Sequence, residues 1–97
     1  MKLGRKVSAA SIVLYLKRVE GQPSARFGFV VAKTVGNAVT RNRVKRRLRE
    51  LAKLNLAQAA STDVVVRALP GAADLDWNTL QTEFQQALSS GLARLEK

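Results

Sequence analysis

Residues 41–53 read Arg-Asn-Arg-Val-Lys-Arg-Arg-Leu-Arg-Glu-Leu-Ala-Lys, with seven basic side chains and one acidic one in thirteen positions. The chemistry open to such a run is electrostatic. Guanidinium forks bind phosphate bidentately and stack on bases, whereas an ammonium acts as a point charge. At about 100° per residue on a helix, Asn42, Arg46, Arg49 and Lys53 cluster opposite a stripe of Val44, Leu48 and Leu51. Arg43 and Arg47 flank that cluster on one side and Lys45 lies on the other. Like charges at these spacings repel and weaken an isolated helix; a polyanionic partner would offset that cost. A face that is merely solvated would mix in more Glu. Arg41, Arg43, Arg46, Arg47 and Arg49 outnumber Lys45 and Lys53, which suits nucleic acid better than a lipid surface. Charge and spacing do not separate RNA from DNA.

Other chemistries lack their residues. The chain has no cysteine, so a disulfide framework, a zinc knuckle and thiol catalysis are excluded. It has no histidine, which removes the commonest general base and metal ligand. Its carboxylates are scattered and fall mostly outside the basic half, a poor basis for a carboxylate–metal nuclease. No GxGxxG and no P-loop is present. The net charge of +10 is unevenly placed. Fourteen of the 17 Lys and Arg residues lie in residues 1–53 beside only Glu20 and Glu50, while residues 54–97 are slightly acidic. A surface of that kind gains from a polyanion by releasing counterions. The absence of cysteine makes a cytoplasmic setting the default. No stretch reaches the roughly 18–20 apolar residues that span a bilayer, and the basic start followed by Ala9–Leu16 reads as a strand rather than a signal peptide.

These residues must be positioned by a small α+β scaffold, expected as one domain over residues 1–97. Residues 7–19 are β-branched and apolar and predict a strand. Gly21-Gln22-Pro23-Ser24 is a turn. Residues 26–33 predict a second strand, antiparallel to the first, with Phe27, Phe29, Val31 and Lys33 on one face. Asn37 is placed to cap a helix running to about Ala59, whose buried stripe of Val44, Leu48, Leu51, Asn55 and Ala59 is interrupted late by Asn55, a point where the helix could fray. Residues 63–66 lack alternation and predict a central strand covered on both faces. Pro70-Gly71 ends it. Asp76 caps a last helix in which Leu80, Phe84, Leu88, Leu92 and Leu95 recur at helical spacing. The order strand, strand, helix, strand, helix implies a two-layer α/β sandwich with a small mixed sheet.

The run Phe27-Gly28-Phe29-Val30-Val31-Ala32-Lys33-Thr34-Val35-Gly36-Asn37-Ala38-Val39-Thr40-Arg41-Asn42-Arg43-Val44-Lys45-Arg46 resembles the core of bacterial ribonuclease P proteins. Their hallmark is a strand ending in Lys, then Val-Gly-Asn-Ala-Val, then Arg-Asn-Arg on a helix. Asp63-Val64-Val65-Val66, Pro70-Gly71-Ala72-Ala73 and Ile12-Val13-Leu14-Tyr15 match in order, so the likeness covers nearly the whole chain. It implies a left-handed βαβ crossover through the basic helix, as in a domain of a small-subunit ribosomal protein, where physics alone favours the right hand. It implies an accessory subunit of an endoribonuclease that removes the 5′ leader of precursor tRNA, with the catalytic centre and its Mg²⁺ in a partner RNA and none held by the protein. The implied partners are that catalytic RNA, at one to one, and precursor tRNA. The motif carries RNA contact to Arg41, Asn42, Arg43, Lys45, Arg46, Arg47, Arg49 and Lys53. A cleft between the basic helix and the sheet would hold the leader, lined by Tyr15, Lys33, Asn42 and Lys45. Tyr15 would stack on a base there or serve in ordinary sheet packing.

Two departures from the family pattern stand out. Family members begin with a further helix that precedes the start of this chain, so some core is expected to be exposed and self-association becomes a way to cover it. Arg67 and Leu69 stand where the family often has an apolar residue and then Arg. A general or ribosomal-type RNA-binding protein of similar fold would keep the basic helix without the cleft. A DNA-reading helix-turn-helix would need a helix before residue 41, where the sequence predicts a strand.

Overall fold

The computed structural model describes residues 4–96. The apolar run predicted as one strand is two: β1 (Arg5–Ser8) and β2 (Ile12–Arg18), paired antiparallel with Val7 opposite Leu14 and Lys6 opposite Tyr15. The Ala9 amide donates to the Ile12 carbonyl at 2.9 Å and closes the turn between them. The small residues Ala9, Ala10 and Ser11 permit that reversal without Gly or Pro, the usual markers of a turn.

β3 (Arg26–Val31) ends earlier than predicted, and Lys33–Val35 form a 3-10 turn. β4 (Thr62–Ala68) inserts between β2, to which it is antiparallel, and β3, to which it is parallel. The sheet order is therefore β1-β2-β4-β3. β2 and β3 run in opposite directions, as expected, but they are not neighbours. The parallel pair β3 and β4 is joined through the helix α1 (Ala38–Leu54) as a βαβ unit. The chain closes with α2 (Trp77–Leu95).

Both helices pack on the same face of the sheet, α1 over β3 and α2 over β1 and β2. Leu14, Leu16, Val64 and Val66 project from the strands into one core with Val44, Leu48, Leu51, Leu80, Phe84 and Leu88. Phe27 of β3 meets Phe84 of α2 with ring centroids 6.3 Å apart. β4 is central, but it is covered on one face only. Thr62, Val64, Val66 and Ala68 are buried while Val65 and Arg67 are exposed. Val65 is apolar because β-branched residues favour strands even where one face meets water, and that preference hid the alternation.

Each helix is stopped or seated by an identifiable residue. The Asn37 side chain accepts from the Thr40 amide at 2.9 Å and caps α1, as predicted. α1 ends at Leu54 rather than near Ala59. Asn55 is buried, and its side-chain amide donates to the Leu51 carbonyl at 2.7 Å, satisfying one of the carbonyls left free at a helix end. Asp76 caps α2 by accepting from the Thr79 amide at 3.2 Å. In α2, a Cβ built on Gly91 would lie 2.5 Å from Cδ1 of the buried Leu16. The missing side chain therefore lets this turn of α2 lie close against β2.

Candidate nucleic-acid interface

The apolar stripe of α1 fixes which way its charges point. Val44, Leu48 and Leu51 are buried against the sheet, so Asn42, Arg46, Arg49 and Lys53 are exposed on the outer side. Arg43 is also exposed, and Arg41, Lys45 and Arg47 are half-buried at the margins. Arg43 Nη2 donates to the Ala73 carbonyl at 3.3 Å and Arg47 Nη1 to the Leu75 carbonyl at 2.9 Å. Those carbonyls belong to the link between β4 and α2, which contains a 3-10 turn at Pro70–Asp74. The Arg43–Arg47 flank of α1 therefore faces α2, and by helical geometry the Arg41–Lys45 flank turns toward the free edge of β3. Arg41 Nε is buried with no hydrogen-bond partner among the described residues.

All eight motif residues thus lie on α1, with none absorbed into the apolar core, and among the described residues no ion pair joins any of them to a carboxylate. The one ion pair found there, Arg26–Asp63 at 3.0 Å, is on the sheet. A guanidinium carries five donors, so the carbonyl contacts of Arg43 and Arg47 orient these groups without exhausting them.

The four residues expected to line a leader cleft do not converge between α1 and the core face of the sheet. That space is filled by Val44, Leu48 and Leu51 packed into the core. Among the four residues expected to line it, Lys33 lies in the 3-10 turn after β3, and Asn42 and Lys45 lie on α1. Tyr15 projects from the opposite face of the sheet, because its neighbours Leu14 and Leu16 take the core side. β4 separates β2 from β3, which puts Tyr15 about 10 Å in from the β3 edge.

The open face of the sheet was not singled out from the sequence. It carries Lys6, Lys17, Arg26, Val30, Val65 and Arg67 exposed, Tyr15 half-buried and Val13 buried among them, with half-buried Asp63 as its acidic member. Lys6 Nζ sits 5.9 Å from the Tyr15 ring centroid, in cation–π range. Arg26 binds Asp63 through two contacts of 3.0 Å and, mainly by that hydrogen bond, holds its carboxyl below the usual carboxylate range. Alternation within each strand could have grouped these residues. Which group stays uncovered depends on where the helices dock.

A basic helix with its charges turned outward, carried on a four-stranded α+β scaffold, fits the class of small nucleic-acid-binding proteins. Three comparisons narrow the class. The family model described as Ribonuclease P matches residues 1–91. The ribonuclease P protein component of Arthrobacter sp. (strain FB24) is 42% identical over 96 residues, 98% of this chain and 71% of that protein. That of Kocuria rhizophila is 42% identical over 95 residues, 97% of this chain and 83% of that protein. Among solved structures, the Staphylococcus aureus RNase P protein superposes with a TM-score of 0.81 at 31% identity, covering 91% of this chain and 81% of that one. The Thermotoga maritima RNase P protein, at 24% identity and a TM-score of 0.76, shares the fold. The chain belongs to the ribonuclease P protein family, whose function is the 5′-end maturation of tRNA.

Proposed function

We propose that the chain docks on the catalytic RNA of ribonuclease P through the outer face of α1 and supports the 5′ leader of precursor tRNA on the open face of the sheet. The observation that carries the reading is the composition of α1: seven basic side chains, one acidic, on a helix whose apolar stripe is spent on the core. Arg41, Arg43, Lys45, Arg46, Arg47, Arg49 and Lys53 neutralise phosphates, each neutralised phosphate releasing counterions and adding to affinity, and Asn42 adds a neutral hydrogen bond.

A single-stranded leader suits the other face. Aromatic platforms beside cations bind unstacked bases without strong sequence preference, and Tyr15 with Lys6 forms one such platform. Lys33, Asn42 and Lys45 would receive the strand at the β3 edge before it crosses toward Tyr15. In this proposal cleavage takes place on the RNA subunit, which holds the catalytic Mg²⁺, and the protein supplies substrate affinity and relief of phosphate repulsion. The setting is the cytoplasm, and no helix among the described residues is long and apolar enough to cross a membrane.

Cleavage of precursor tRNA by a bacterial ribonuclease P RNA at low Mg²⁺, with substrates of long and very short 5′ leaders, tests the reading. The protein is expected to stimulate cleavage, and more so for the long leader. Equal stimulation of both would remove the leader from the open face, and no stimulation despite RNA binding would favour a general RNA-binding role.

A further inference from the structure

Beside its phosphate-binding face, α1 forms one wall of a small cavity. Arg43, Arg46, Arg47 and Glu50 line it together with Trp77 at the start of α2; it is a depression open to solvent with a volume of about 330 Å³. That is at the small end for a ligand pocket. Two of its three guanidiniums are held in place by the carbonyls of Ala73 and Leu75. Arg46 is exposed and without a protein partner among the described residues, so its whole fork is free. Trp77 is half-buried, packed against the core on one side and at the surface on the other. Glu50 puts a carboxylate, which only accepts hydrogen bonds, into a wall otherwise made of donors.

A bare phosphate would bind these arginines but be repelled by Glu50, and it would leave the indole unused. A nucleotide uses every group: phosphate oxygens on the guanidiniums, a base against the indole, and base N–H groups toward the carboxylate. We propose that this cavity is a subsite for one unpaired nucleotide of the RNA partner, its base stacked on Trp77, its phosphate held by Arg46 with Arg43, and its Watson–Crick edge facing Glu50. Guanine is the preferred base, because its N1–H and N2–H donors lie side by side and match the two oxygens of a carboxylate. The proposal rests on the reading of α1 as an RNA-docking helix.

Trp77 is the only tryptophan in the chain, so its emission reports on this site alone. The test titrates the full chain with end-labelled single-stranded RNA octamers, one all uridine and one with a single central guanosine, and with inorganic polyphosphate. Anisotropy of the label measures binding and tryptophan emission measures stacking. The guanosine octamer should bind about tenfold more tightly than the uridine octamer, and both RNAs should quench Trp77 while polyphosphate does not. Glu50→Gln, an exposed substitution, should abolish the guanosine preference and keep the quenching; Arg46→Ala should weaken both RNAs. RNA binding with unchanged emission would overturn the subsite and leave the docking helix intact. Equal quenching by polyphosphate, or a guanosine preference that survives Glu50→Gln, would also overturn it. Failure of every RNA to bind would instead overturn the reading of α1.

Discussion

Single side chains in this protein do different work according to whether they face a protein partner or are left to face solvent. Arg26 and Asp63 sit directly opposite each other in the parallel register of β3 and β4 and bind bidentately. Asp76 is held below the usual carboxylate range chiefly by its hydrogen bond to Thr79, with Arg47 contributing by charge. For both aspartates the folded value lies below the unfolded one. Their contribution to stability is therefore fully present above the unfolded value, near 3.9, and is lost as pH falls through the folded value. Urea unfolding should show a nearly constant midpoint from about pH 7 to 5 and a fall below about pH 4. In Asp63→Asn that fall should be shallower, and an identical acid limb would mean the Arg26–Asp63 pair does not stabilise the fold. The arginines of α1 behave differently: two are steered by backbone carbonyls and the rest await a partner.

At the scale of elements, the helices were legible because their signals are local. Asn37 and Asp76 cap within three residues, and the apolar stripes repeat at helical spacing. The strands were read less completely. The turn at Ala9–Ser11 carries no Gly or Pro, so β1 merged with β2. The Val64-Val65-Val66 run concealed a strand exposed on one side. Asn55 stands out in the sequence as a polar break in the stripe, but that its side chain folds back onto Leu51 and ends α1 there, one turn short of Ala59, is seen only in the structure. The motif on α1 could be read from sequence in full, but the placement of its neighbours could not. Only the family resemblance groups Tyr15 with Lys45; the face Tyr15 takes and its distance from α1 follow from β4 inserting beside β2. Trp77 approaches Arg43 and Arg47 only because α2 docks where it does, and Gly91 is part of that docking. Gly91→Ala should destabilise the protein by about 1–3 kcal/mol through overpacking against Leu16, read as a lower urea midpoint with unchanged slope. An unchanged midpoint would show that α2 is not seated closely on β2.

Over the whole molecule, the two faces of the sheet divide the labour. One is sealed by both helices and supplies the core; the other is open, half apolar and basic. The outer side of α1 adds a second basic surface. A protein with net charge +10 and so few compensating carboxylates in its first half should bind RNA with steep salt dependence. The central claim is that α1 makes the RNA contact, and it is tested most directly by the affinity of the chain for a bacterial ribonuclease P RNA across a salt series. The same series is then run for Arg43→Ala combined with Arg46→Ala. The account predicts weaker binding and a log–log salt slope reduced by roughly two. An unchanged slope would contradict it and move the docking surface off α1.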